Sequence, residues 1–153
     1  MNFDKANYPW KAEINYKVEP HAYRVGKGEQ GALICEPYKT EIGSKWRFKT
    51  PDIARESSKE IFKLFMGYLK TNDFVGADMA RKFLQMGYTR ARRYANYKGG
   101  KKYDKSNDYA LLDHGTGEAQ KAKSAAIFLK KWKQAEAQPT YSKMKADWKK
   151  HIG

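Results

Sequence analysis

The strongest constraint on the fold is a segment with apolar residues at helical spacing that begins at Thr50. Thr50 is a good N-cap, Pro51 suits the first helical position, and Asp52 favours the positive end of the helix dipole. The apolar residues that follow recur at the spacing of one helix face. They are Ile53, Ile61, Phe65, Tyr68 and Leu69. The pattern predicts a helix over residues 51–70.

The same criterion predicts three further helices downstream. Their expected bounds are residue 74 to either Gly87 or the Gly99-Gly100 pair, residues 117–137, and residues 140–151. A cap at Thr116 opens the helix over 117–137, the third along the chain, and Pro139 breaks it. The residues expected to face inward from the third helix are Ala122, Ala125, Ala126, Leu129 and Trp132. Those of the last helix are Tyr141, Met144, Trp148 and Ile152.

The first fifty residues have a different character. Pro9, Pro20, Pro37 and a glycine cluster interrupt them, and between these lie the short β-compatible runs AYRV, ALICE and KWRFK. The runs predict two or three short strands. The expected fold is therefore α+β and helix-dominated, with a strand- and loop-rich part over 1–50 and about four helices over 51–153. We expect residues 1–153 to form a single domain.

Composition narrows the class of protein. With 41% hydrophobic residues, the chain has enough apolar material for one core. The lone cysteine, Cys35, lies in an apolar run, so we expect a buried and inert thiol. The chain contains neither a membrane-length apolar stretch nor the apolar region of a secretory signal, which predicts a cytoplasmic protein without a membrane partner.

The positive charge is concentrated in one segment. The net charge is +14, and residues 81–105 carry nine cations against one acid, Asp104. Four of the seven arginines fall within residues 81–93. A planar guanidinium binds phosphate oxygens in pairs, which lysine cannot do. The segment RKFLQMGYTRARRYANYKGGKKYD at 81–104 therefore predicts contact with a polyanion.

We expect this segment to bind nucleic acid, either DNA or RNA, without catalysis, through phosphate contacts and stacking tyrosines. The predicted binding residues are Arg81, Arg90, Arg93, Tyr97, Lys98, Lys101, Lys102 and Tyr103. An alternative interpretation is an ordinary helix with inward tyrosines and solvated cations, in which the arginines meet acids such as Asp78, Glu56 and Glu60. Arg81 or Arg92 would then pair with a carboxylate of the helix over 51–70. That alternative explains the tyrosines well and the charge excess poorly.

Two other functions remain open. Asp113, His114 and Glu118 are residue types that can hold a divalent metal, as in a metal-dependent nuclease or phosphodiesterase. Their spacing matches no metal motif, and helix capping explains the two acids equally well, so no metal and no catalytic residue is predicted. The basic segment also suits an acidic protein partner.

The letters GKGEQG at 26–31 match the dinucleotide-binding fingerprint. The fingerprint requires a helix after the glycines, whereas ALICE and Pro37 follow here. A glycine hairpin or bulge is the favoured interpretation, and no cofactor is predicted.

Three long segments resemble an uncharacterised family of small bacterial and phage proteins that is defined as a domain of unknown function. They are HAYRVGKGEQGALICEPYKTEI, WRFKTPDIARESSKEIF and DFVGADMARKFLQMGYTRARRYANYKGGKKYD. The resemblance covers roughly residues 20–137. It implies no activity, substrate or catalytic residue, so the expectations for function rest on the residues alone.

Overall fold

The computed structural model describes residues 14–23, 35–96, 103–104, 110–111 and 119–152. Its elements in chain order are a 3-10 helix (Pro20–Ala22), α1 (Tyr38–Gly43), α2 (Pro51–Lys70), α3 (Phe74–Asn96), β1 (Tyr103–Asp104), β2 (Ala110–Leu111), α4 (Ala119–Glu136) and α5 (Pro139–His151). The two short strands pair antiparallel, with Tyr103 opposite Leu111. The described part of the chain is an all-α fold.

Helix α2 confirms the prediction for residues 51–70. The Thr50 side chain accepts a hydrogen bond from the Ile53 backbone N–H at 3.2 Å, and Pro51 occupies the first turn. One face of the helix enters the core through Ile61 and Phe65, whereas Ile53 stays 37% exposed. The cap and the proline explain why the helix begins where the sequence predicted.

Helix α3 is the central element of the bundle. It packs mainly against α2 and α4, and residues 74–84 are buried without interruption. The helix runs through Gly87 to Asn96, so Gly87 does not end it. A Cβ at Gly87 would lie 2.3 Å from the ring of Phe128 on α4. The glycine therefore lets two helices approach closely.

The turn between α2 and α3 is fixed by two polar residues. Asn72 has a φ of 58°, a left-handed conformation that asparagine tolerates better than most residues. The Asp73 carboxylate accepts the backbone N–H of Gly76 at 3.0 Å and both of its oxygens accept from the Tyr38 hydroxyl. These contacts cap α3 and tie α1 to its first turn.

The prediction of an N-terminal β region, and with it the α+β fold class, is wrong. Within the described part of the first fifty residues there is no strand. Pro20 starts a 3-10 turn, Pro37 precedes α1, and the KWRFK run follows α1 as turn and irregular backbone. Tyr23 and Cys35 are fully buried as single anchors in the common core. Tertiary packing on the helices, rather than strand pairing, accounts for these apolar residues.

Helices α4 and α5 lie within two residues of their predicted bounds. The predicted cap Thr116 lies outside the described residues. On α4 Ala125 is buried and Trp132 packs against the core as predicted, whereas Ala126 is exposed and Phe128, which was not predicted, is fully buried. On α5 Tyr141 reaches the core as expected. Within the described ranges, no helix is both long and apolar enough to cross a bilayer.

Candidate nucleic-acid interface

The structure places Arg81 in the core rather than on a surface. Its guanidinium contacts Asp78 at 2.8 Å, the Tyr141 hydroxyl at 3.1 Å and Gln85 at 2.7 Å. Burial opposes the charged form, but the Asp78 carboxylate outweighs it and raises the pKa of Arg81 above its usual range. A side chain that is 7% exposed and already paired is not available to a phosphate. We therefore leave Arg81 out of the interface.

Asp78 is the acidic centre of this buried network. Burial would raise the pKa of Asp78, but Arg81, Lys82 and the hydroxyls of Tyr141 and Tyr23 outweigh it and lower the pKa to about 2. Both hydroxyls donate to the carboxylate, Tyr141 at 2.6 Å and Tyr23 in a short contact. The carboxylate is thus ionised in the core and holds helices α3 and α5 and the Tyr23 segment together.

Lys82 is the second cation of the basic segment that is buried in the core. Its side chain is 1% exposed, and its ammonium lies 5.7 Å from the ring centroid of Tyr23. Burial lowers the pKa of Lys82 to about 8, although Asp78 opposes this effect. Two of the cations counted in the sequence are therefore structural, and among the described residues of the segment the exposed charge is carried by the later arginines.

Arg90 and Arg93 are exposed near the end of α3 and lie three residues apart, on one helix face. The Arg90 guanidinium lies 5.1 Å from the ring centroid of Trp46, in the segment between α1 and α2. Trp46 packs in turn on Phe83 and Phe48, with ring centroids 5.5 and 5.3 Å apart. The core thus holds the aromatic ring against which Arg90 is positioned.

Lys121, in the first turn of α4, lies beside two aromatic rings, those of Phe48 and of Tyr94 on α3. Its ammonium is 5.7 Å from the Phe48 centroid and 5.9 Å from the Tyr94 centroid. The same ammonium donates to the backbone carbonyls of Phe48 at 3.3 Å and Lys49 at 2.7 Å. Lys121 is fixed by neutral partners and retains its full charge for an outside anion.

Together these residues form one surface, which we call the aromatic-basic surface. Its members are Trp46, Phe48, Arg90, Arg93, Tyr94 and Lys121. Among the described residues, none of the ion pairs includes Arg90, Arg93 or Lys121. Glu56 and Glu60 instead line a separate pocket with Arg47. The cations of the surface therefore have no acid to neutralise them within the described ranges.

Arg92 is exposed, and its predicted pairing with Glu56 or Glu60 is not formed in the described structure. Four of the predicted binding residues lie outside the described residues, and they are Tyr97, Lys98, Lys101 and Lys102. Tyr103 lies in β1, where the structure describes the backbone alone. Of the eight predicted residues, the structure brings Arg90 and Arg93 together on one surface.

The sequence did not identify Trp46, Phe48 or Lys121 as part of this site. The signal was present in KWRFK, where cations alternate with aromatic residues. As a β-compatible run, KWRFK predicts a short strand, whereas the structure shows an irregular segment whose aromatic residues pack toward α3. Lys121 gave no local signal, because its role depends on the contact between α4 and this segment.

The alternative metal site falls on Asp113, His114 and Glu118, which lie outside the described residues. In the part of the chain that the structure does describe, no three His, Cys, Asp or Glu side chains group in a way that could hold a metal ion. Cys35 is buried as predicted, and burial raises the pKa of its thiol to about 12, so it is not a nucleophile at neutral pH.

A groove of about 1020 Å³ lies on another face, between α2, the start of α3 and Trp148. The charged residues that line it are Lys17, Lys45, Glu60, Lys63 and Asp73. Lys17 pairs with Glu41 at 3.0 Å. Because cations and acids are mixed along the groove, it does not favour a polyanion as the aromatic-basic surface does.

Comparisons with known proteins give a family and no function. No curated protein and no solved structure matches the chain. A family defined as a domain of unknown function, DUF4385, matches residues 7–151. This range is wider than the segments on which the sequence resemblance rested. Because the match covers nearly the whole chain, the protein belongs to the DUF4385 family.

Proposed function

We propose that the protein binds nucleic acid without catalysis, through phosphate contacts from the aromatic-basic surface. The observation that carries the proposal is the arrangement of Arg90, Arg93 and Lys121. Arg90 and Lys121 contact neighbouring rings of one aromatic row, and Arg93 follows Arg90 three residues later on the exposed side of α3. Within the described structure, none of the three has an acidic partner. On a chain of net charge +14, such a surface attracts polyanions at long range and binds phosphates on contact.

The restraint of the cations also supports the proposal. Arg90 is held over Trp46, and Lys121 is held by two backbone carbonyls. Side chains that are already ordered lose less conformational entropy when they bind a phosphate. The cations Lys98, Lys101 and Lys102 follow Arg93 along the chain and join the proposal on sequence grounds alone. Phosphate contacts of this kind position a protein on the backbone and carry no base readout.

The proposal is tested by binding of the protein to a labelled duplex and a matching single strand at salt concentrations from about 50 to 200 mM. Each phosphate contact contributes about −0.9 to the slope of log K against log salt on duplex and about −0.7 on single strands. The double variant Arg90→Ala/Arg93→Ala should therefore flatten the slope by nearly two on duplex and by about 1.4 on single strands.

A charge-matched control is available on α5, where Lys143 and Lys150 are exposed. Lys143→Ala/Lys150→Ala removes the same charge away from the aromatic-basic surface, so it should leave the slope nearly unchanged. Equal flattening by both double variants would show that only overall charge matters and would contradict the proposed surface. Cleavage of the labelled strand that requires a divalent metal would favour the nuclease alternative. In a pull-down, a second protein that stays bound after nuclease treatment would favour the alternative of an acidic protein partner.

A further inference from the structure

The aromatic residues of the aromatic-basic surface indicate which kind of nucleic acid binds there. This inference rests on the proposed function. The rings of Phe83, Trp46, Phe48 and Tyr94 form a row with successive centroids 5.5, 5.3 and 6.4 Å apart. The row begins at Phe83, which is 2% exposed, and ends at Tyr94, which is 39% exposed. A chain of aromatic contacts thus extends from the core to the surface beside the cations.

Tyr94 is an exception among the large apolar side chains. Within the described residues, the other large hydrophobic side chains exposed to this degree are Val18 and Ile53. Tyr94 differs from both because it carries an aromatic ring, and two cations flank that ring: Arg90 is one helical turn earlier, and the Lys121 ammonium is 5.9 Å from its centroid. An exposed aromatic ring between two cations lacking acidic partners is suited to a ligand with both flat rings and negative charge.

We propose that this site takes single-stranded nucleic acid, with a base stacked on Tyr94 beside Phe48 and an adjoining phosphate held by Arg90 and Lys121. In a duplex the bases stack on one another and are closed to a surface ring, whereas a single strand presents its base faces. Aromatic stacking beside a basic track is how proteins bind single strands without sequence preference. Tyr94 lies at the outer end of the row and is 39% exposed, so part of its ring is open to a base.

The test compares Tyr94→Leu and Tyr94→Phe on a thymidine oligonucleotide and on a duplex, in the full-length protein. Leucine keeps an apolar side chain and good helix propensity but removes the aromatic face. Tyr94→Leu should weaken binding to the single strand by about 5- to 150-fold, the range of stacking on one ring. Phenylalanine restores the ring and should restore binding. Duplex binding should fall much less than single-strand binding, because paired bases do not stack on a surface ring, and both salt slopes should keep their values because no cation is removed.

Three results would overturn the inference. If single strands bind in a salt-dependent way and Tyr94→Leu has the same affinity for them as the wild type, Tyr94 does not stack on a base. The proposed function would still hold in that case. An equal loss on duplex and single strand would show that Tyr94 acts on both forms, most simply by supporting Arg90 and Lys121. Absence of binding to either form at low salt, by the folded wild-type protein, would overturn the proposed function and this inference with it.

Discussion

Arg81 and Asp78 form an ion pair in the interior of the helix bundle, with Nη2 and Oδ1 2.8 Å apart and both side chains almost fully shielded from solvent. They lie three residues apart on α3, which places them on the same face of the helix. The Tyr141 hydroxyl bridges the pair, since it donates to Asp78 and accepts from Arg81. One arginine of the basic segment therefore connects α3 to α5.

Removal of the Asp78 charge should be among the most destabilising single changes in this protein. Asp78→Asn keeps the side-chain volume and leaves Arg81 and Lys82 buried without their countercharge. The free energy of unfolding should fall by about 3 to 5 kcal/mol, the usual cost of breaking a buried ion pair from one side. Urea denaturation at pH 7 measures the change. The control is Asp52→Asn, which breaks the exposed pair with Arg55 and should hardly shift the midpoint.

The same carboxylate predicts an acid dependence of stability. The pKa of Asp78 is lowered to about 2, whereas an aspartate in the unfolded chain titrates at about 3.9. A lowered pKa means that the stabilisation is present above about pH 4 and is lost as the pH falls to about 2. The difference in unfolding free energy between wild type and Asp78→Asn should shrink by about 2 to 3 kcal/mol over this range. A constant difference would show that Asp78 does not titrate as described.

Gly67 and Gly87 provide a matched pair of glycine substitutions within helices. A Cβ at Gly87 would lie 2.3 to 2.6 Å from the Phe128 ring, whereas a Cβ at Gly67 would meet nothing within 4 Å. Gly87→Ala should lower the free energy of unfolding by about 1 to 3 kcal/mol through overpacking. Gly67→Ala should raise it by about 0.5 to 1 kcal/mol through helix propensity. Thermal unfolding followed by circular dichroism measures both, and shifts of the same sign would contradict the packing described.

Local signals in the sequence were sufficient to predict α2, α3, α4 and α5, but not α1, which lies in the part expected to form strands and loops. Thr50 and Pro51 predicted the start of α2, because a cap and a first-turn proline act within a few residues. Continuation of α3 through Gly87 was left open, since it depends on Phe128 of α4, forty-one residues later. The inward face of α4 was predicted in part, since Ala125 is buried, but the fit against α3 buries Phe128 rather than Ala126.

The candidate site was predictable in part. Four arginines within residues 81–93 indicated a basic surface, but the sequence could not separate Arg81, which faces the core, from Arg90 and Arg93, which face solvent. The spacing of Asp78 and Arg81 was visible, whereas their shared burial depends on Tyr23 and Tyr141 from distant segments. Propensity alone misassigned the described parts of the N-terminal runs, where Tyr23, Trp46 and Phe48 pack against the helices and form no strand.

Lys82 predicts a gain of stability at alkaline pH. Burial lowers its pKa to about 8, whereas a lysine in the unfolded chain titrates at about 10.4. Between these values the unfolded state binds the extra proton, so the contribution of Lys82 to stability rises with pH. Lys82→Met has a similar length and no charge, so it should lack this rise. Urea denaturation of wild type and variant from pH 7 to pH 10 measures the difference.

The measurement ends at about pH 10 because tyrosines of the unfolded chain ionise there. Burial raises the pKa of Tyr23 and Tyr141 in the folded protein, so their ionisation would add a second pH dependence of stability above this point. The control is Lys59→Met, which replaces an exposed lysine of α2. The free energy of unfolding of this variant should change with pH as that of the wild type does. If wild type and Lys82→Met instead change in parallel from pH 7 to pH 10, the ammonium of Lys82 keeps an ordinary pKa. Its burial beside Asp78 would then be compensated fully by that carboxylate.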